Sequence, residues 1–154
     1  MDSLLACIEA SSVAQFLRGA RWSYAAINGA HILGIALLIG AILPLDLKLL
    51  GFWPRVNRSD LARVLLPVAA TGLGLAACMG LLLFSTRAGE YADLSLFRIK
   101  LALIAVGFGA ALFAHFRHGF LLENASSRTL KAHALFSLTC WLGALACGRL
   151  IAFV

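Results

Sequence analysis

The stretch Ile99 to His118, IKLALIAVGFGAALFAHFRH, opens on Lys100 and runs without an interior charge to His115, Arg117 and His118. An apolar run of this length matches the roughly 20 residues that an α-helix needs to cross the hydrocarbon core of a bilayer. Inside a membrane every backbone N–H and C=O must be satisfied within its own segment, so a chain built on such a run folds as helices. Three further apolar stretches accompany it, at about 22–45, 61–85 and 129–154. With the stretch at 97–118 they predict an all-α, membrane-embedded antiparallel four-helix bundle. It forms one transmembrane domain, preceded by a short N-terminal interfacial helix.

Composition agrees. Of 154 residues, 62% are hydrophobic and 13% are charged, against about 25% charged in a soluble domain. Mean hydropathy is +0.93. This excludes an isolated soluble enzyme. The net charge of +6 is read as loop lysines and arginines lying near lipid headgroups, not as nucleic-acid binding. The four cysteines, Cys7, Cys78, Cys140 and Cys147, form no CxxC or CxxCH pattern. That argues against a disulfide framework, a zinc site or covalently attached haem; buried free thiols are expected.

Local signals place the ends. Ser12 and Gln15 suggest a capping box for a helix through Arg18. Leu4, Leu5, Ile8, Phe16 and Leu17 would lie on lipid, with Glu9 and Arg18 in water. Trp22 and Tyr24 fit an aromatic belt. Asp46, Lys48 and Gly51 mark the exit of the first span, and Ser59 is a plausible N-cap for the second. Gly72, Ala76 and Gly80 make a small-residue face suited to close helix contact.

Histidines inside an apolar bundle are costly and tend to mark functional sites. Their depths follow from the helical rise of about 1.5 Å per residue. His31 precedes Asp46 by fifteen residues, which places it about 22 Å from that exit, toward the termini. His115 follows Lys100 by fifteen residues and lies toward the opposite side, on the order of 15 Å from His31 in depth. His133 precedes Arg149 by sixteen residues on a helix running back. It therefore matches the depth of His115, and the short turn between these spans makes them neighbours.

Two neutral imidazoles from facing helices suit axial ligation of haem b. Ser137 would support His133, and Arg117, Arg128 and Lys131 would partner the propionates. Gly107 and Gly109 would admit the porphyrin, and Phe113 and Phe116 would pack on its edges. His31 is a third candidate ligand, with Lys100 and Met79 as its possible companions. Lys100 and Arg149 are expected near the termini side, as cofactor-binding or headgroup-binding cations.

The segment His31 to Gly51, HILGIALLIGAILPLDLKLLG, and the segment Ser137 to Phe153, SLTCWLGALACGRLIAF, together with Thr71-Gly72 and Lys100, carry a family resemblance. From Trp22 onward the chain resembles an uncharacterised family of small four-span bacterial membrane proteins. That family is similar to copper-resistance protein D and, more distantly, to four-helix b-type cytochromes. In its pattern the positions matching His31, Lys100 and His115 are the recurrent polar ones; the proline frequent after its first aromatic pair is Ala25 here. The resemblance implies the bacterial inner (cytoplasmic) membrane.

Three functions stay open on the sequence. One is a haem b protein transferring electrons, with quinone and a redox partner protein as exchange partners. A second is copper handling, which His, Met79 and cysteine would suit, although no Met-rich or His-rich loop is present to capture the ion. The third is an accessory subunit, or a homo-oligomer, packing through its glycine faces among membrane lipids. No nucleophile–base pair stands out, so any catalysis would be that of a membrane oxidoreductase. Positive charges number seven in the loops at 46–63 and 117–131 against six on the termini side, which favours termini outside the cytoplasm.

Overall fold

A computed structural model describes residues 2–122 and 124–153, apart from the side chain of Asp2. Among them are seven α-helices and no strand: α1 (Asp2–Glu9), α2 (Ser12–Gly19), α3 (Arg21–Leu50), α4 (Arg58–Thr86), α5 (Ala88–Asp93), α6 (Ser95–His118) and α7 (Ser127–Leu150), closed by a 3-10 turn at Ile151–Phe153. Four of them, α3, α4, α6 and α7 with its closing turn, are long and apolar enough to cross a membrane. They pack together, and α3, α4 and α6 each run a few residues longer than the apolar stretch that announced them.

Helix ends follow from capping chemistry. The helix α3 stops at Gly51, whose left-handed φ of 110° lets the N–H groups of Gly51 and Phe52 bond back to Lys48 O and Leu47 O, both at 3.1 Å, as a glycine C-cap does. The side chain of Asn57, not Ser59, caps α4 by accepting from Ser59 N at 2.8 Å and Asp60 N at 3.4 Å. Ser126 starts α7 by accepting from Thr129 N at 3.2 Å.

The main interfaces are α3 with α4, α6 with α7, and α3 with α7. Glycine sets the first of them. A Cβ on Gly34 would stand 2.5 Å from Ala76 N, and one on Gly72 would stand 2.5 Å from Leu38 N. Only hydrogen fits there, and the two backbones meet directly. Later positions of α3 meet earlier positions of α4. The same inverse register joins α6 and α7, where Gly107 meets Cys140 and Gly148 meets Lys100. The small-residue face on α4 thus serves helix packing. The core is correspondingly thin: Leu38, Ala41, Ala69 and Trp141 are buried, with Ile42, Leu73 and Ile104 around them. Large apolar side chains point outward instead, among them Leu81, Phe113 and Phe116. Such a surface suits hydrocarbon, where outward apolar groups cost nothing.

The N-terminal segment differs from the expected single interfacial helix. It forms two helices, and Ser11, not Ser12, caps the second by accepting from Ala14 N at 3.3 Å. Leu17 is buried and does not face lipid. Glu9 is half-buried and Arg18 exposed, and both also bond to the protein. A carboxylate oxygen of Glu9 accepts from Gly89 N at 2.8 Å, and the Arg18 guanidinium donates to Thr86 O at 3.2 Å and to Glu9 O at 2.6 Å. These bonds strap α1 and α2 onto the α4–α5 corner. The cysteines also divide: Cys140 is buried and Cys147 half-buried, whereas Cys7 and Cys78 lie on the surface, which corrects the expectation of buried thiols for the latter two.

Candidate ligand cavity at the loop end

Asp46 is the residue whose role changes most between sequence and structure. It was expected at the exit of the first span. The helix instead continues through Pro44 to Leu50, and Asp46 falls on the inward stripe of Leu38, Ile42 and Leu49, positions spaced by three, four and eight residues as one helix face requires. Its side chain is only 4% exposed. Among the described residues its Oδ2 has no hydrogen-bond partner. Buried polar atoms are nearly always satisfied, so an orphaned carboxyl oxygen calls for an explanation.

Asp46 lines a half-open cavity of about 300 Å³ bordered by α3, α4, α6, α7 and the 120–122 turn. Leu38 and Trp141 form its deep end, and Leu66, Leu73, Phe108 and Leu112 line its sides. The helices α4 and α6 border it without a close interface between them. Five polar residues reach it: Asp46, Ser137, His115, His133 and, at the first turn of α4, Arg58.

His115 and His133, from α6 and α7, line this one cavity. Nδ1 of His115 lies 2.7 Å from the Phe120 carbonyl. A carbonyl only accepts, so Nδ1 carries the proton and Nε2 of the neutral ring keeps its lone pair. The backbone makes this contact by turning sharply after α6, with left-handed φ of 86° at Gly119 and 56° at Leu122. Phe120 stands beside His115, at 5.8 Å between rings, whereas Phe113 and Phe116 were expected to pack on the edges of a porphyrin. Those two are 69% and 86% exposed and face outward. Gly107 does not open space for a cofactor, because a Cβ there would meet Cys140 at 3.0 Å. Arg117, Arg128 and Lys131 are exposed, and Arg58 is the cation that lines the cavity.

His31 lies apart, in the termini half. Its Nδ1 donates to Ala76 O at 2.8 Å, and its ring fills the space over Gly80. The stem of Lys100 is laid across α7, so that Nζ would stand 3.4 Å from a Cβ on Gly148. The Arg149 guanidinium stacks over Phe153, 4.8 Å from the ring centroid. Among the described residues no three His, Cys, Asp or Glu side chains converge as a metal site would need.

Asp46, Arg58, Trp141 and Phe120 were not singled out as site residues from the sequence. For Asp46 the signal was available in its helical spacing from Leu38 and Ile42. For Phe120 none was, because its place depends on the turn conformation. Comparison of the chain with protein-family models, with curated proteins and with solved structures finds no match.

Proposed function

We propose that this chain is a multi-pass protein of the bacterial cytoplasmic membrane, an antiparallel four-helix bundle that takes part in electron transfer through a redox group held in the loop-end cavity. A membrane quinone is the group that the cavity suits best. The observation that carries this reading is a cavity with mostly apolar walls that Asp46, Arg58, His115, His133 and Ser137 all line. Its volume, about 300 Å³, is at the small end of the range for ligand pockets and suits a single substituted ring. The polar side chains offer hydrogen bonds to ring oxygens, and the apolar walls offer a place for the ring and the start of its tail. The border between α4 and α6 gives a route from the hydrocarbon core.

A second reading, b-type haem, is favoured by the histidines. His115 and His133 would supply the axial nitrogens, the Phe120 carbonyl would hold the His115 tautomer, and Arg58 would partner a propionate. A bound haem would supply one-electron chemistry at its iron. The resemblance to four-helix b-type cytochromes points the same way. The volume of about 300 Å³ weighs toward quinone, because a porphyrin joins four pyrrole rings and asks for more room than a single ring. Copper would need a larger converging donor set than the cavity offers.

One experiment separates the readings: an absorption spectrum of the detergent-purified protein, oxidised and dithionite-reduced, together with solvent extraction and quantification of bound quinone. Quinone at near one equivalent without a Soret band is expected. A Soret band lost in both His115→Ala and His133→Ala installs the haem reading. Neither group in the purified protein overturns both and leaves an accessory subunit.

A further inference from the structure

We infer that the tip of the α3–α4 hairpin, residues 45–66, is a gate that swings on Pro44 and Pro67 and admits a ring to the cavity from the hydrocarbon core. The occupant rests on the quinone reading; the hinge stands on the backbone and needs no ligand.

The register of the two helices sets the prolines level with each other. Gly34 faces Ala76 and Gly72 faces Leu38, so each step along α3 is matched by a step back along α4. Six residues beyond Leu38 comes Pro44, and six before Gly72 comes Leu66, next to Pro67. Both prolines lie inside their helices. Proline has no N–H, so the carbonyls four residues earlier, of Gly40 and Arg63, have no helical donor. The two hydrogen-bond ladders therefore break at one level. The Thr71 hydroxyl donates back to Pro67 O at 2.9 Å, a bond that tends to bend a helix. Proline sites of this kind are where helices kink.

The hairpin differs on the two sides of that level. On the termini side the glycine contacts hold the helices backbone to backbone, and the buried core residues Leu38, Ala41 and Ala69 lie there too. On the loop side the buried residues of the pair are Asp46 and Ala62, and both line the cavity. Arg58, Ala62 and Leu66, four residues apart, give the cavity one stripe of α4. The tip is tied within itself. Gly51 N bonds to Lys48 O, the Lys48 ammonium donates to Trp53 O at 2.8 Å, and Asn57 caps α4. It therefore moves as one piece. Across the cavity stand α6, α7 and the 120–122 turn, and α4 has no close interface with α6. Swinging the tip outward widens the α4–α6 border and opens the cavity toward the hydrocarbon core.

Two measurements test the gate on the full chain in detergent. The first reads a distance without any ligand. With Cys7, Cys78 and Cys147 replaced by alanine, spin labels are placed at Arg55→Cys in the tip and Asn124→Cys on the facing turn. A control pair sits at Arg21→Cys and Asp93→Cys on the termini side. Pulsed electron resonance is expected to give two separations, or one broad distribution, for the tip pair and a single narrow one for the control. Pro44→Ala combined with Pro67→Ala restores both N–H donors and should collapse the tip pair to the shorter separation. The second measurement reads rates. With Trp22→Phe and Trp53→Phe, Trp141 at the deep end of the cavity is the remaining tryptophan, and a short-chain dimethoxy-methyl-benzoquinone quenches it on entry. Pro44→Ala should slow association and dissociation alike by about fivefold, the value of one restored backbone hydrogen bond that opening must bend. Kd should stay within about twofold, because a gate alters passage and not the bound state.

A single narrow tip separation in the wild type overturns the inference and leaves the quinone reading intact, and this measurement needs no proline variant. A broad distribution that persists when both prolines are replaced also overturns it, since the motion is then not theirs. Weakened Kd with faster dissociation in Pro44→Ala overturns it as well, because that reports a reshaped cavity. Absence of quenching by the benzoquinone removes the quinone reading. The distance measurement then decides the hinge alone, two separations sustaining it and one overturning it.

Discussion

Gly34 and Gly72 face each other across the α3–α4 interface with no room for a side chain on either. A Cβ on Gly34 would stand 2.9 Å from Gly72 O, and a Cβ on Gly72 would stand 2.8 Å from Gly34 O. The obstructing atoms are backbone, which cannot rotate away, so a methyl group must push the helices apart. Gly34→Ala and Gly72→Ala should each destabilise the bundle by about 1–3 kcal/mol, the usual cost of overpacking. Gly74→Ala has nothing within 4 Å of the new methyl and should stay within about 0.5 kcal/mol of wild type. Thermal unfolding in detergent measures all three. Equal stability of the three variants would show that the interface is looser than this.

His31 ties α3 to α4 in the half of the bundle away from the cavity. Removing the ring in His31→Ala deletes the hydrogen bond to Ala76 O and opens the space over Gly80. A loss of about 1 kcal/mol from the hydrogen bond is expected, with a further contribution from lost packing. Ligand or haem occupancy of the loop-end cavity should not change, because Asp46 lies about 22 Å further along the same helix. Loss of the bound group in His31→Ala, with retention in His115→Ala and His133→Ala, would move the site to the termini half.

The strap at the N-terminus makes a separate claim. Glu9 accepts the Gly89 amide, one of the free N–H groups at the start of α5 that a helix cannot satisfy by itself. Glu9→Ala should therefore speed hydrogen exchange at Gly89 and its neighbours several-fold, since local opening governs exchange there. Glu9→Gln retains an acceptor oxygen and should exchange close to wild type. Unchanged exchange in Glu9→Ala would mean that the strap contributes nothing to the corner.

How much of this was legible in the sequence depends on which interactions set each feature. The long helices were legible because their apolar lengths exceed what any loop tolerates, and Gly72 read as a packing residue for the same reason that it packs. Counting residues at a constant helical rise puts His115 and His133 at one depth, and both line one cavity. Counting fails at helix ends. Asp46 looked like an exit residue because a carboxylate usually lies in water, yet α3 runs on to Leu50 and carries it inward. Ser11 and Asn57 displaced Ser12 and Ser59 as caps by one or two positions, a shift that propensity alone does not resolve. Phe120 stands beside His115 because the turn after Gly119 folds back over α6. That placement comes from two left-handed residues, one of them Leu122, a type that rarely adopts such a φ.

The last prediction concerns sidedness. With four membrane crossings, the 51–57 loop and the 119–126 turn share one face, and both termini share the other. The loop side carries seven lysines and arginines against six, and the positive-inside rule assigns it to the cytoplasm. The excess is a single charge, so the arrangement is best read by direct labelling. In a Cys7→Ala background, Arg55→Cys and Asn124→Cys should react alike with a membrane-impermeant maleimide. In intact cells both should be protected, and in inside-out vesicles both should label. A periplasm-active reporter fused to the C-terminus should be active. Labelling of both cysteines in intact cells, with a silent reporter, would invert the orientation and keep the bundle. Opposite labelling of the two would break the four-crossing topology itself, and with it the placement of His115 and His133 at one depth.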